Sequence, residues 1–179
     1  LPQSIVAATG VDALAHAVEC YTSKKATPMS DTYAIAAAKL IFTSLEDAYQ
    51  EEGNLKAKER LLLGAFYGGV AITGSGTTAV HALSYPLGGK YHIAHGVSNA
   101  ILFAPVMTHN QPACADRLAA LCDAVYPLRA QDSTYAKAAY IVQRIAGIVK
   151  HTEIPTSLQK FGIGESDLDF LVHAGSQQQ

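Results

Sequence analysis

With 179 residues, 49% of them hydrophobic, the chain carries enough apolar material for a core of ordinary domain size and is too apolar to remain disordered. Its 13 Lys and Arg against 15 Asp and Glu give a formal net charge of −2, which leaves no basic footprint for phosphate neutralisation and argues against nucleic acid as a partner. No apolar run approaches the roughly 18 residues of a membrane helix, and no charged start precedes an apolar signal core, so a cytoplasmic protein without membrane contact is expected. Cys20, Cys114 and Cys122 are odd in number and lack Cys-x-x-Cys spacing, which predicts reduced thiols and no thiolate zinc site.

Ile5, Ala8, Val11, Leu14, Ala15, Val18 and Tyr21 recur at helical spacing and predict a first helix over residues 3–23. Pro28 and Ser30-Asp31 mark a break and a new start. From there Tyr33, Ile35, Ala37, Leu40, Ile41, Leu45 and Tyr49 carry a second helix to a stop near Gly53-Asn54. A third helix, Leu55 to about Ile72, is charged at Lys56, Lys58, Glu59 and Arg60. It then turns small through Gly64, Gly68, Gly69 and Ala71, which lets another backbone approach closely.

The stretch Gly74-Ser-Gly-Thr-Thr78 lacks the Gly-Lys-Ser/Thr ending of a phosphate loop and follows a helix, so it is read as a turn. His81 to Gly89 predicts a short helix broken at Gly88-Gly89, with His95 beyond the bend. Further helices are expected over 97–107, 113–125, 133–149 and 166–174, with loops at 105–112, 127–132 and 151–155. There is no alternating strand pattern and no glycine-rich βα unit, so nothing here by itself holds a nicotinamide cofactor. The expected architecture is all-α, a single helical domain over 1–179. Leu1-Pro2 opens without an initiator Met and Gly175-Ser-Gln-Gln-Gln179 stops soon after the last helix, as in a fragment of a two-domain protein.

Within Gly10-Val-Asp-Ala-Leu-Ala-His16, Asp12 and His16 are four residues apart and project from one helix face. Their neighbours Val11, Ala13, Leu14, Ala15, Ala17 and Val18 leave little room for a solvated charged pair. A buried, unpaired carboxylate costs several kcal/mol, which a cation can offset. A second pair from elsewhere would complete a mixed oxygen and nitrogen set suited to zinc or ferrous iron. His81 and His95 are the candidates; His109, His151 and His173 are read as ordinary histidines, and Cys20 as a small buried residue.

Gly10-Val-Asp-Ala-Leu-Ala-His-Ala-Val-Glu19, His81-Ala-Leu-Ser-Tyr-Pro-Leu-Gly-Gly89 and His95-Gly-Val-Ser-Asn-Ala100 together resemble the metal-binding half of the iron-containing alcohol dehydrogenases. The likeness covers most of the chain. In that family a nucleotide-binding α/β domain precedes an all-helical domain of the dehydroquinate synthase-like fold, with the catalytic metal in the cleft between them. The resemblance implies that Asp12, His16, His81 and His95 ligate Fe2+ or Zn2+, and that NAD or NADP is held mainly by the α/β domain this chain lacks. It also implies a small alcohol or aldehyde as substrate, hydride transfer as the reaction, and a homodimer.

Glu19 is expected to support the ligands rather than join them. Tyr85 stands where many members have a further histidine, so the resemblance puts any proton-relay or cofactor-contacting role on Tyr85, on water or on His92. The alternatives are a helical metal-binding or interaction module without catalysis and, behind it, a metal-dependent lyase or synthase on the related scaffold.

Overall fold

Helix α1 (Gln3–Thr22) runs through the middle of the molecule, because small side chains let neighbours close on it from several sides. Twelve of its 20 residues are buried, more than a one-sided amphipathic stripe supplies. The computed structural model describes residues 1–178. The chain continues as α2 (Pro28–Phe42), α3 (Leu45–Gln50), α4 (Leu55–Ser75), α5 (Ala79–Tyr91), α6 (His95–Val125), α7 (Thr134–His151) and α8 (Leu168–Ser176), with short 3-10 turns at Pro127–Arg129, Leu158–Phe161 and Glu165–Asp167. Among the described residues there is no strand, and no helix is long and apolar enough to cross a membrane.

Helix α1 packs against α2, α3, α4 and α6; α2 lies along α4, α7 along α6, and α5 bridges α6 and α8. The small residues of α4 serve close approach. A Cβ on Gly64 would meet the Ile41 side chain at 2.7 Å, and one on Gly68 would rest 3.5 Å from the Ala13 carbonyl oxygen. The main core joins α1, α2, α4, α6 and α7, while Leu87, Ile93, Ile163 and Leu171 form a smaller cluster beneath α5 and α8. Arg117 of α6 clamps this arrangement. Its guanidinium lies 3.8 Å from the Tyr21 ring centroid and donates to the Tyr21 carbonyl and to Asp31.

The structure departs from the sequence reading at four places. Helix α2 starts earlier, at Pro28, because Thr27 and Ser30 form a reciprocal cap: the Thr27 hydroxyl accepts from the Ser30 N–H, and the Ser30 hydroxyl from the Thr27 N–H. The expected second helix divides at Thr43-Ser44, where the chain turns and lays buried Leu45 over Gly10 of α1. Helix α5 continues through Gly88-Gly89 to Tyr91. The helix penalty of roughly 1 kcal/mol per glycine is too small to break a packed helix, and α5 instead closes at His92, a left-handed residue whose N–H bonds the Gly88 carbonyl.

The expected loop at 105–112 is the interior of α6. Pro105 and Pro112 lie on its exposed face, where water can take the carbonyls they leave without a partner, and the burial of Phe103, Met107, Leu118 and Leu121 holds the helix together. The helix is not uninterrupted: at Cys114, just after Pro112, a non-helical φ of −131° kinks α6 into two segments.

Two features of the packing are open to measurement. A Cβ on Gly96, next to His95, would lie 2.3 Å from the Ala8 carbonyl oxygen, backbone against which nothing yields. Gly96→Ala is expected to cost about 3 kcal/mol, the upper end of overpacking effects, read as a lower urea midpoint.

Glu46 of α3 accepts from Arg144 and His151 of α7, each at 2.5 Å. Burial pushes its carboxyl up, but these bonds outweigh burial and leave it below the ordinary value of 4.5. Such a group stabilises the fold above its unfolded pKa and loses that contribution as pH falls through the depressed native value. Between about pH 5 and about pH 3, Glu46→Gln should therefore lose less stability than the wild type in denaturant titrations; parallel losses would exclude Glu46 as an acid-sensitive contact.

Candidate metal centre

The helical repeat of α1 puts Asp12 and His16 one turn apart on its least buried face, with Val11, Ala13, Leu14 and Ala15 turned into the core. His81 comes from the first turn of α5, and His95 is the first residue of α6. The structure brings these four together. One donor atom from each lies within 4.8 Å of all the others, and the Asp12 Oδ1 stands 3.5 Å from both the His81 Nε2 and the His95 Nε2.

That spacing suits a cation. Bonds of about 2.0–2.1 Å at tetrahedral angles set neighbouring donors roughly 3.3–3.4 Å apart. The rings form two near-parallel pairs, His16 on His81 with centroids 4.5 Å apart and Tyr85 beside His95 at 5.9 Å, and the pairs meet at a tilt of 55° between His81 and His95. Burial is graded across the cluster. The His81 side chain is 2% exposed, Asp12 20% and His95 46%, so the site is anchored at one end and open at the other.

Glu19 supplies the anchor and stands outside the four-donor set. It is completely buried on α1, one turn beyond His16. Its Oε1 accepts from the Thr78 N–H at 3.1 Å, the Thr78 hydroxyl at 2.5 Å and the Val80 N–H at 2.8 Å, and its Oε2 meets the His81 Nδ1. One carboxylate thus caps the start of α5 and holds the ring of His81. With Nδ1 engaged by Glu19, Nε2 is the nitrogen that faces Asp12.

Asn99 was missed by the sequence reading. It lies one turn after His95 on α6, fully buried, and its amide nitrogen is 2.5 Å from the Asp12 Oδ1 and 3.1 Å from the Nε2 of both His81 and His95. A signal was present in the sequence, since Asn99 precedes the apolar Ala100, Ile101 and Leu102 and a polar residue heading such a run has to find partners. His92 is exposed and caps α5, away from the cluster. Cys20 is buried with its thiol toward the Gly76 carbonyl, and His151 pairs with Glu46.

The electrostatics favour positive charge at the cluster. Burial pushes the Asp12 carboxyl up, but the His81 hydrogen bond, the neighbouring imidazoles and the Asn99 amide outweigh it, so Asp12 sits below the ordinary value and is ionised at neutral pH. Burial lowers His16 further than Asp12 raises it, which leaves a neutral imidazole with a free lone pair. Burial also opposes charge on His81, yet Asp12 and Glu19 on either side win and raise it to about 9. A field that retains a proton on His81 equally favours a cation among the four donors.

Comparison with known proteins indicates the family and the fold. The family model described as Fe-containing alcohol dehydrogenase family, C-terminal, matches residues 6–179. Long-chain-alcohol dehydrogenase 1 of Geobacillus thermodenitrificans is 39% identical over 99% of this chain and 45% of its own length. The NAD-dependent methanol dehydrogenase of Bacillus methanolicus is 32% identical over 95% of this chain and 45% of its own. A crystal structure of 1,3-propanediol oxidoreductase superposes with a TM-score of 0.95 at 32% identity, over 99% of this chain and 47% of that one. The chain thus spans about half the length of the relatives it matches. On the extent of the family match and the likeness of the fold, the chain belongs to the iron-containing alcohol dehydrogenase family and corresponds to its C-terminal region.

Proposed function

We propose that this chain supplies the metal centre and one wall of the catalytic cleft in a cytoplasmic, NAD(P)-dependent alcohol dehydrogenase, with Asp12, His16, His81 and His95 holding Fe2+ or Zn2+. The observation that carries the reading is the convergence of one carboxylate and three imidazoles, from three helices, to within 4.8 Å. Such a set accepts either metal. When bound, a divalent ion supplies Lewis acidity that favours the alkoxide of an alcohol near neutral pH and polarises the aldehyde carbonyl in the reverse direction.

The chain's own residues prepare the site. Glu19 fixes the ring of His81, so one imidazole is aligned without a rotamer search. Asp12 brings the single negative charge among the four donors, which leaves a dication with net positive charge to act on substrate oxygen. The half-exposed His95 and Tyr85 mark the side from which an alcohol enters. Tyr85 lies alongside the His95 ring, and its hydroxyl is able to donate or accept a proton. A nicotinamide held by the cofactor domain of the whole enzyme would supply the hydride chemistry. The names of the relatives run from methanol to long-chain alcohols, so family membership points to the reaction and leaves the alcohol to pocket shape.

Metal analysis after dialysis tests the centre. The wild type is expected to retain a divalent ion that Asp12→Ala and His95→Ala lose, and undiminished metal in both variants would refute the ligand set. Tyr85→Phe keeps the ring on His95 and removes only the hydroxyl. In the whole enzyme it should lower turnover on the order of 100-fold with metal content intact, the lower end for proton-transfer groups. An unaltered pH–rate profile would remove the hydroxyl from the reaction.

A further inference from the structure

Asn99 occupies a place that the proposed ligand set does not explain. A buried asparagine normally pairs both ends of its amide. Here the nitrogen faces the donor atoms of Asp12, His81 and His95, whereas Oδ1 is buried without a hydrogen-bond partner among the described residues. The opposite orientation is worse, since it would aim the oxygen at the Asp12 carboxylate, 2.5 Å away. An amide has two N–H groups. One serves Asp12, and the other lies toward the His95 Nε2 at 3.1 Å.

We propose that Asn99 is a positioning residue of the metal centre: its amide holds Asp12 and His95 converged beside the Glu19-braced His81 before an ion arrives, and keeps the Asp12 carboxylate aimed once the ion is bound. The inference rests on the metal-centre reading above. Without Asn99, Asp12 on α1 and His95 on α6 would have only the ion to hold them together, and their ordering would be charged against binding. Partners that orient metal-binding side chains typically contribute 10–100-fold to metal affinity. The unpaired Oδ1 is consistent with a residue placed for its donor end. Leaving an acceptor buried and unmatched is unfavourable by about 1–3 kcal/mol, a cost the donor contacts have to outweigh.

The rival physical account is competition, in which the amide and the ion contend for the same lone pairs and removing the amide tightens binding. The two accounts predict opposite signs. Zn2+ affinity is measured by competition with a chromogenic chelator, for wild type and for Asn99→Leu, which has similar volume and no donor. Positioning predicts binding weakened by about 10–100-fold and, with Co2+ as probe, a shifted visible band that a merely structural role would leave in place. Equal or tighter Zn2+ binding by Asn99→Leu with an unchanged Co2+ spectrum overturns the proposal while the centre stands. A wild type that binds no Zn2+ overturns both.

Asn99→Ala guards against a leucine variant that fails to fold. It removes the amide without adding bulk or charge, so Zn2+ should raise its melting temperature by less than it raises that of the wild type. An equal or larger rise would count against the amide.

Discussion

Glu19 is a carboxylate with no exposed surface, and an ion in that position is tolerated only when its oxygens are matched by donors. The donors all come from one place, the Thr78 to His81 stretch, some sixty residues further along the chain. Because the requirement is strict, it fixes where α5 begins relative to α1. Thr78 and Val80 lend N–H groups that a helix start leaves without partners, so the cap and the burial satisfy each other. The ring of His81 is then oriented by the same carboxylate; His16 stacks on it, and His95 meets it at a tilt with Tyr85 alongside.

Close backbone approach supplies the second constraint. Helix α1 can lie under the start of α6 because Gly96 presents no side chain at the crossing. The contact of Gly96 with Ala8 places His95 at the first turn of α6 beside Asp12, which sits one turn further along α1. Ordinary packing therefore sets the distances in the cluster, and the chemistry relies on a framework held together by the apolar core of α1, α2, α4, α6 and α7. The gradient from buried His81 to half-exposed His95 follows from the same arrangement. The closed end is held by the fold, and the open end is accessible to solvent and small molecules.

Departures from the sequence reading cluster where local preference and tertiary packing disagree. Two glycines in α5 and two prolines in α6 are breakers by local criteria, yet α5 continues through its glycines and α6 yields only a kink at Cys114, after Pro112. Each of those residues costs at most a few kcal/mol, whereas the helices gain from burial along their whole length. The turn at Thr43-Ser44 shows the converse, since apolar spacing alone continues a helix that the seat of Leu45 over Gly10 requires to bend. In the cluster, Glu19 and Asn99 gain their surroundings only when α1, α5 and α6 meet.

The sequence by itself determined the all-helical class, most of the helix positions and the pairing of Asp12 with His16, because helical periodicity and a four-residue spacing are properties of a single turn. It also held the motifs by which the chain resembles its family. Only the tertiary structure decided that His81 and His95 meet that pair, that Glu19 is the buried brace of α5, and that Asn99 stands among the donor atoms. These contacts join residues 62 and 87 positions apart, Glu19 with His81 and Asp12 with Asn99. No local spacing encodes such a distance: it follows from which helices pack together and how closely their small residues let them approach.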